Sequence, residues 1–187
     1  FQPRAVKTGM LFSAEIIRVV VAFFSSQKIP LIVDPVMVAT SGAPLLKPSA
    51  MKALQKELFP LATLVTPNLG EAEILLGKKI RSHPELKLAA QEIFERFGCA
   101  ALIKGGHLPG AEALDFFYDG KTAITLRAKF IRGISTHGTG CTYSAAIAAY
   151  CALGHPLPES VRRAKQFVTR AIGESVTASG HFVLRNF

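Results

Sequence analysis

The sequence predicts an α/β fold, a three-layer α/β/α sandwich around a mostly parallel sheet. Three observations predict it: brief apolar runs that stop at polar or Gly/Pro residues, helical patterns between those runs, and two helices closing the chain. Leu31-Ile32-Val33 ends in Asp34-Pro35, Thr63-Leu64-Val65 in Thr66-Pro67-Asn68, and Ala100 to Ile103 in Lys104-Gly105-Gly106. Each is short and apolar throughout, as strands covered on both faces are. The helical candidates lie at about 13–28, 48–59, 69–76 and 84–97. Asp119-Gly120, between 113–118 and 122–127, favours a hairpin turn, so an antiparallel pair is expected there. An alanine-rich helix is expected over 139–153, stopped by Gly154 and Pro156. A last helix opens near Pro158-Glu159. Its apolar residues Val161, Ala164, Val168, Ala171, Ile172 and Val176 form one stripe. No repeat, linker or low-complexity segment interrupts the pattern, so residues 1–187 read as one domain.

The chain has 187 residues, 49% hydrophobic and 19% charged, enough for a sizeable core. No apolar run approaches the ~18–20 residues that span a bilayer, and Phe1-Gln2-Pro3-Arg4 is not a secretory leader. A start without methionine reads as a fragment or processed product. The net charge of +9 comes from 22 basic and 13 acidic residues. The densest basic groups are Lys78-Lys79-Arg81, Lys129 with Arg132, and Arg162-Arg163-Lys165. No aromatic residues interleave with them as a nucleic-acid platform requires, so each reads as a solvated face. Neither nucleic acid nor membrane is expected as a partner, while a mild positive field suits phosphate ligands. Three cysteines without a leader fit a reducing cytoplasm. Cys141 and Cys151, on one helix ~15 Å apart, are too far for a disulfide.

In a parallel sheet ligands collect at the carboxyl ends of the strands, which places Asp34, Asn68 and Lys104 along one crevice. The strongest local signal is Thr136-His137-Gly138-Thr139-Gly140-Cys141 at the start of a helix. Its glycines permit a tight turn, and unpaired N–H groups with the helix dipole make an anion hole. A glycine-rich helix entry without a ligand fits the spacing equally well. Cys141 stands in the first turn, where a thiolate is favoured and could take a proton from a substrate hydroxyl. By position alone, a buried small hydrophobe is the commoner fate of such a cysteine. Glu71 reads as a carboxylate for a hydrated Mg²⁺ and as the N3 partner of an Asn68 cap, two roles that can hold at once. Asp34 reads as a group in the metal's water shell or as a turn acceptor, and Lys104 as a phosphate contact or a solvated strand end. Glu73 reads as structural, Cys99 and Cys151 as core. His107 and His137 lie near the motifs, and His83, His155 and His181 read as surface or loop.

These residues sit in blocks that resemble the hydroxymethylpyrimidine/phosphomethylpyrimidine kinases of thiamine biosynthesis, members of the ribokinase-like superfamily. The blocks are Ala5 to Leu11, Val33 to Gly42, Thr66 to Glu73, Ile103 to His107, Thr136 to Thr142, Arg163-Ala164-Lys165 and the tail Gly180 to Phe187. The resemblance implies ATP- and Mg²⁺-dependent phosphorylation of 4-amino-5-hydroxymethyl-2-methylpyrimidine and then of its monophosphate. It implies Cys141 as catalytic base, with Gly138, Thr139 and Gly140 completing the anion hole. It places Glu71 and Asp34 in the metal region, and Thr66, Asn68, Lys104 and Lys165 in the nucleotide region. Met10 and Val36 match positions lining the pyrimidine pocket. Cysteine at 141 discriminates, because related sugar kinases and most pyridoxal kinases carry aspartate there. A homodimer is usual for such kinases. Family members begin with a strand and a Gly/Ser/Asp-rich loop, whereas this chain begins just before Lys7-Thr8-Gly9-Met10, as a C-terminal portion would. The expectation is therefore retained nucleotide or phosphate binding with little or no kinase activity. The alternatives are a pyridoxal/pyridoxine kinase and a non-catalytic nucleotide-binding remnant.

Overall fold

The computed structural model describes residues 2–39, 43–106, 108, 112–131, 138–178 and 181–185. Six strands form one sheet in sequential order: β1 (Val6–Thr8), β2 (Leu31–Val33), β3 (Leu64–Val65), β4 (Ala100–Lys104), β5 (Glu112–Tyr118) and β6 (Ala123–Lys129). The first four run parallel, and β5 and β6 turn back antiparallel. The expected hairpin is present, with Gly120 at φ +86° in its turn.

Strand order that advances in one direction has a physical consequence. Parallel crossovers are right-handed, so all the connecting helices must fall on one face. They are α1 (Ala14–Phe24), α2 (Pro48–Ala53), α3 (Leu69–Leu76) and α4 (His83–Phe97). Their buried residues, among them Ile17, Ala50, Ala72, Leu75, Ala90 and Ile93, share one core with Leu31, Val33, Val65, Ala101 and Ile103. The opposite face is left to α5 (Thr139–Ala152) and α6 (Leu157–Gly173). There Ile147, Val161, Ala164 and Val168 pack on Ile32, Leu64, Leu102 and Phe117. Alternate strand residues thus feed two cores, which is the three-layer sandwich.

Several boundaries differ from the sequence reading. The first helix ends at Phe24 rather than near 28, where the Ser25 and Ser26 hydroxyls donate to the carbonyls of Ala22 and Phe23. The 48–59 helix is α only to Ala53; a π turn over Leu54–Leu58 and a 3₁₀ turn over Phe59–Leu61 follow. Pro60, which lacks an N–H, falls in that last turn. Val176 does not continue the final helical stripe: α6 ends at Gly173, and Val176 opens β7 (Val176–Ala178), paired with β8 (His181–Val183). Neither this pair nor β1 was expected. Cys99 is buried as expected, but Cys151 is only half-buried. Among the described residues no helix is long and apolar enough to cross a membrane.

Candidate active site

The period of two along each strand decides which tips meet. Ile32, Leu64, Leu102 and Phe117 all point to the α5/α6 face. Asp34, Thr66, Lys104 and Asp115, each two residues along, share that side. The contacts follow. Asp34 Oδ1 accepts from Lys104 Nζ at 3.1 Å and from Thr66 Oγ1 at 3.3 Å, and Asp34 Oδ2 accepts from Ser144 Oγ at 3.2 Å. Asp34 and Thr66 are buried, and the Lys104 side chain is 17% exposed. Lys104 is therefore not a solvated strand end; it is one half of a largely buried ion pair.

Helix α5 starts directly over this cluster. Gly138, at φ +81°, is its N-cap, and among the described residues no side chain caps it. The first helical bond runs from Thr142 N–H to Gly138 O, so the amides of Thr139, Gly140 and Cys141 have no intrahelical acceptor. A Cβ on Gly140 would lie 3.1 Å from Lys104 Nζ and 4.0 Å from Asp34 Oδ2. The helix N-terminus and the strand-end lysine thus share one spot, two sources of positive potential for one anion. Cys141 is exposed there. Thr136 and His137 of the motif, like His107, lie outside the described residues.

Asn68 and Glu71 form a full capping box. Asn68 Oδ1 accepts from Glu71 N–H at 2.9 Å, and Glu71 Oε2 from Asn68 N–H at 2.8 Å. Glu71 Oε1 accepts a third bond, from Met37 N–H at 3.0 Å. Burial pushes this carboxyl above its usual range, against the opposing Asn68 amide. The grip on Met37 matters because its neighbour Val36 sits at φ +44°, a strained conformation for a β-branched residue. Val36 and the half-exposed Met10 follow the tips of β2 and β1, at the same sheet edge as the cluster. Asn68 also bridges to Lys104. Glu73 is structural, accepting from Lys79 Nζ and Ile80 N–H.

Lys165 departs from its expected surroundings. It is no part of a solvated basic face: it is 9% exposed and bonds Asp115 Oδ2 at 2.7 Å and Ala113 O at 3.5 Å, while Arg162 and Arg163 remain exposed. Sequence reasoning missed Asp115 and Ser144. An aspartate in the apolar run Leu114-Asp115-Phe116-Phe117 was one available signal. The other was a serine one helical turn beyond Cys141.

The sequence model described as phosphomethylpyrimidine kinase matches residues 1–184. This chain belongs to that family. A hydroxymethylpyrimidine/phosphomethylpyrimidine kinase of Rhizobium meliloti (strain 1021) is 47% identical over 170 residues, covering 90% of this chain and 64% of the relative. Among solved structures, a phosphomethylpyrimidine kinase from Clostridium difficile 630 superposes with a TM-score of 0.80 at 40% identity, covering 92% of this chain and 70% of that one. An ADP complex of Bacillus subtilis pyridoxal kinase superposes with a TM-score of 0.89 at 36% identity, covering 98% and 70%. Such coverage and identity place the family's ribokinase-like sandwich on the six-stranded sheet described above. The chain spans from 34% to 74% of the length of the curated relatives it matches.

Proposed function

We propose that this chain carries the phosphoryl-transfer half of an ATP-dependent kinase for hydroxymethylpyrimidine and its monophosphate, in thiamine biosynthesis. One observation carries the reading: the open N-terminus of α5, with Cys141 in its first turn, stands on the Asp34–Lys104 pair at the strand tips. In the proposed step the substrate hydroxyl gives its proton to Cys141 Sγ while its oxygen bonds to the terminal phosphorus of ATP. The bond from that phosphorus to the bridging oxygen breaks, and ADP leaves. The amides of Thr139, Gly140 and Cys141, with Lys104, take up charge on the transferred group. Such stabilisation, with positioning, is most of what phosphoryl transfer requires. Thr66 and Asn68 frame the nucleotide side, and Met10 and Val36 the pyrimidine side.

The donors fit a hydrated Mg²⁺ better than a bare ion in a protein cage. Among the described residues no cluster of three metal-ligating side chains occurs. Asp34 Oδ1 already accepts two bonds, while Asp34 Oδ2 and each Glu71 oxygen accept one, which leaves those three a lone pair each for a hydrogen of metal-bound water. Bound there with the nucleotide, Mg²⁺ would neutralise phosphate charge. Homodimeric assembly is carried over from the resemblance, and a cytoplasmic setting from the odd number of cysteines, as part of the proposal.

In the full-length protein, Cys141→Ala lowers turnover by about 100-fold or more, the range expected of a general base, with ATP affinity held within about threefold. Unchanged turnover removes the base assignment. The pyridoxal kinase superpositions motivate a second reading, phosphorylation of pyridoxal. Competition between pyridoxal and hydroxymethylpyrimidine for turnover separates the two.

A further inference from the structure

The buried pair behind the site has no role in the step above. Asp115 is 4% exposed on β5, and Lys165 is 9% exposed on α6. The carboxylate divides its bonds: Oδ2 accepts from Lys165 Nζ at 2.7 Å, and Oδ1 accepts from the amide of Gly105 at 3.1 Å. Gly105 is the residue after Lys104, and Lys104 lies directly opposite Asp115 in the β4–β5 register. The Gly105 turn is pressed hard against β5. A Cβ there would meet Leu114 O at 2.4 Å and Leu86 Cδ2 at 2.8 Å. On its other side the Lys104 amide donates to Pro67 O at 2.9 Å. The backbone presenting Lys104 is therefore held from β3 on one flank and by Asp115 on the other.

We propose that Asp115 and Lys165 are a positioning pair: Asp115 grips the Gly105 amide, Lys165 holds Asp115 in place, and together they fix the turn that delivers Lys104 to Asp34 and the α5 anion hole. The inference rests on the functional reading only for the identity of the anion. It relocates Lys165 from the nucleotide to the scaffold that aims another lysine at it. Burying a carboxylate against one charged partner and one backbone amide requires both. Removal of the lysine leaves a buried charge that must take a proton or move. Movement is the event that loosens Gly105, since a protonated carboxyl still accepts from its amide. Burial already pushes the Asp115 carboxyl up, against the opposing pull of Lys165 and the Gly105 amide.

A comparison of single and double variants, read at one amide, tests this. Hydrogen exchange at Gly105 is measured by NMR in the wild type, Lys165→Met, Asp115→Asn/Lys165→Met and Lys165→Arg, with the Leu102 amide as the reference for global opening. Titration with ADP follows on each. Lys165→Met is expected to speed Gly105 exchange about tenfold or more relative to Leu102, and to weaken ADP about tenfold. The double variant is expected to recover both to within about threefold, because the carbonyl of the introduced asparagine still accepts from Gly105 and no charge stays buried. Lys165→Arg keeps the charge and should stay within the same limit. Unaltered Gly105 exchange in Lys165→Met overturns the proposal. So does a double variant that binds ADP as poorly as Lys165→Met, since Lys165 would then touch the nucleotide itself. If Lys165→Met does not fold, a double variant that folds with Gly105 protected supports the pair, and one that also fails to fold overturns it. A wild type that binds no ADP sinks the kinase reading instead, and the Gly105 exchange still decides the pair.

Discussion

Burial sorts the three cysteines by chemistry. Cys141 is exposed on the first turn of α5, while Cys99 is 2% exposed and burial pushes its thiol up to about 12. Burial also raises the half-buried Cys151. At pH 8 a thiol titrating near 12 is thiolate in only about one molecule in 10⁴, and thiolate is the reactive form. Alkylation with iodoacetamide at pH 8, followed by peptide mass spectrometry, should modify Cys141 first. Cys99 should lag by at least about 100-fold until denaturant is added. Equal rates would contradict the buried setting of Cys99. The same contrast explains what was legible at this scale. Position on a helix start is written in the sequence around Cys141. The fully engaged carboxylates are not, because the partners of Asp34 come from the residue after β3, from β4 and from α5, up to 110 residues away.

At the scale of elements, the seat of the site is a contact between a helix end and a strand end, and one missing side chain permits it. Gly140 lies in the first turn of α5, where alanine would ordinarily be favoured by up to about 1 kcal/mol. The methyl of Gly140→Ala would stand 3.1 Å from Lys104 Nζ, close enough that the ammonium must give way by a few tenths of an ångström. Local helix stability and site geometry therefore pull in opposite directions. The variant should unfold at the same or a higher temperature than wild type while losing about tenfold in turnover or ADP affinity. Calorimetry and a binding titration check the two halves separately, and a fall in both would show that the glycine serves packing instead. Most elements were readable because their signals are local: apolar runs, the Asp119-Gly120 turn, the alanine-rich stretch before Gly154. The strand β1 was not, since Val6-Lys7-Thr8 is three residues long and carries a lysine. It pairs only because β2 lies beside it.

For the molecule as a whole, topology does what no single motif does. Sequential strand order sends every crossover helix to one face, leaves the other to α5 and α6, and so aims four strand tips at one helix N-terminus. The sandwich and the crevice were legible because the alternation of runs and helices dictates them. The buried polar layer beneath α5 was not, because which tip meets which depends on register. That layer also sets how the fold responds to pH. Glu71 is 2% exposed, and its carboxyl titrates above the unfolded value because burial outweighs the bonds from Asn68 and Met37. The folded state then keeps a proton that the unfolded chain has already lost. Between about pH 4.5, the ordinary glutamate value, and the higher folded value, unfolding releases that proton. Glu71's contribution is therefore fully present below the window, falls by about 1.4 kcal/mol per pH unit within it, and is flat above. The partly exposed Glu73 opposes it on the acid side: it is held below its usual value despite burial, by Lys79 and the Ile80 amide. Its contribution is lost as pH falls from the ordinary glutamate value through the lower folded one. Denaturant unfolding from pH 4 to 9 should place maximum stability in mildly acid solution. Glu71→Gln, which cannot ionise, should be less stable by about 1–3 kcal/mol because its amide nitrogen faces a backbone donor, and should lose the part of the slope that Glu71 supplies. A variant with the wild-type slope would assign the pH dependence to another group and leave Glu71 ionised throughout.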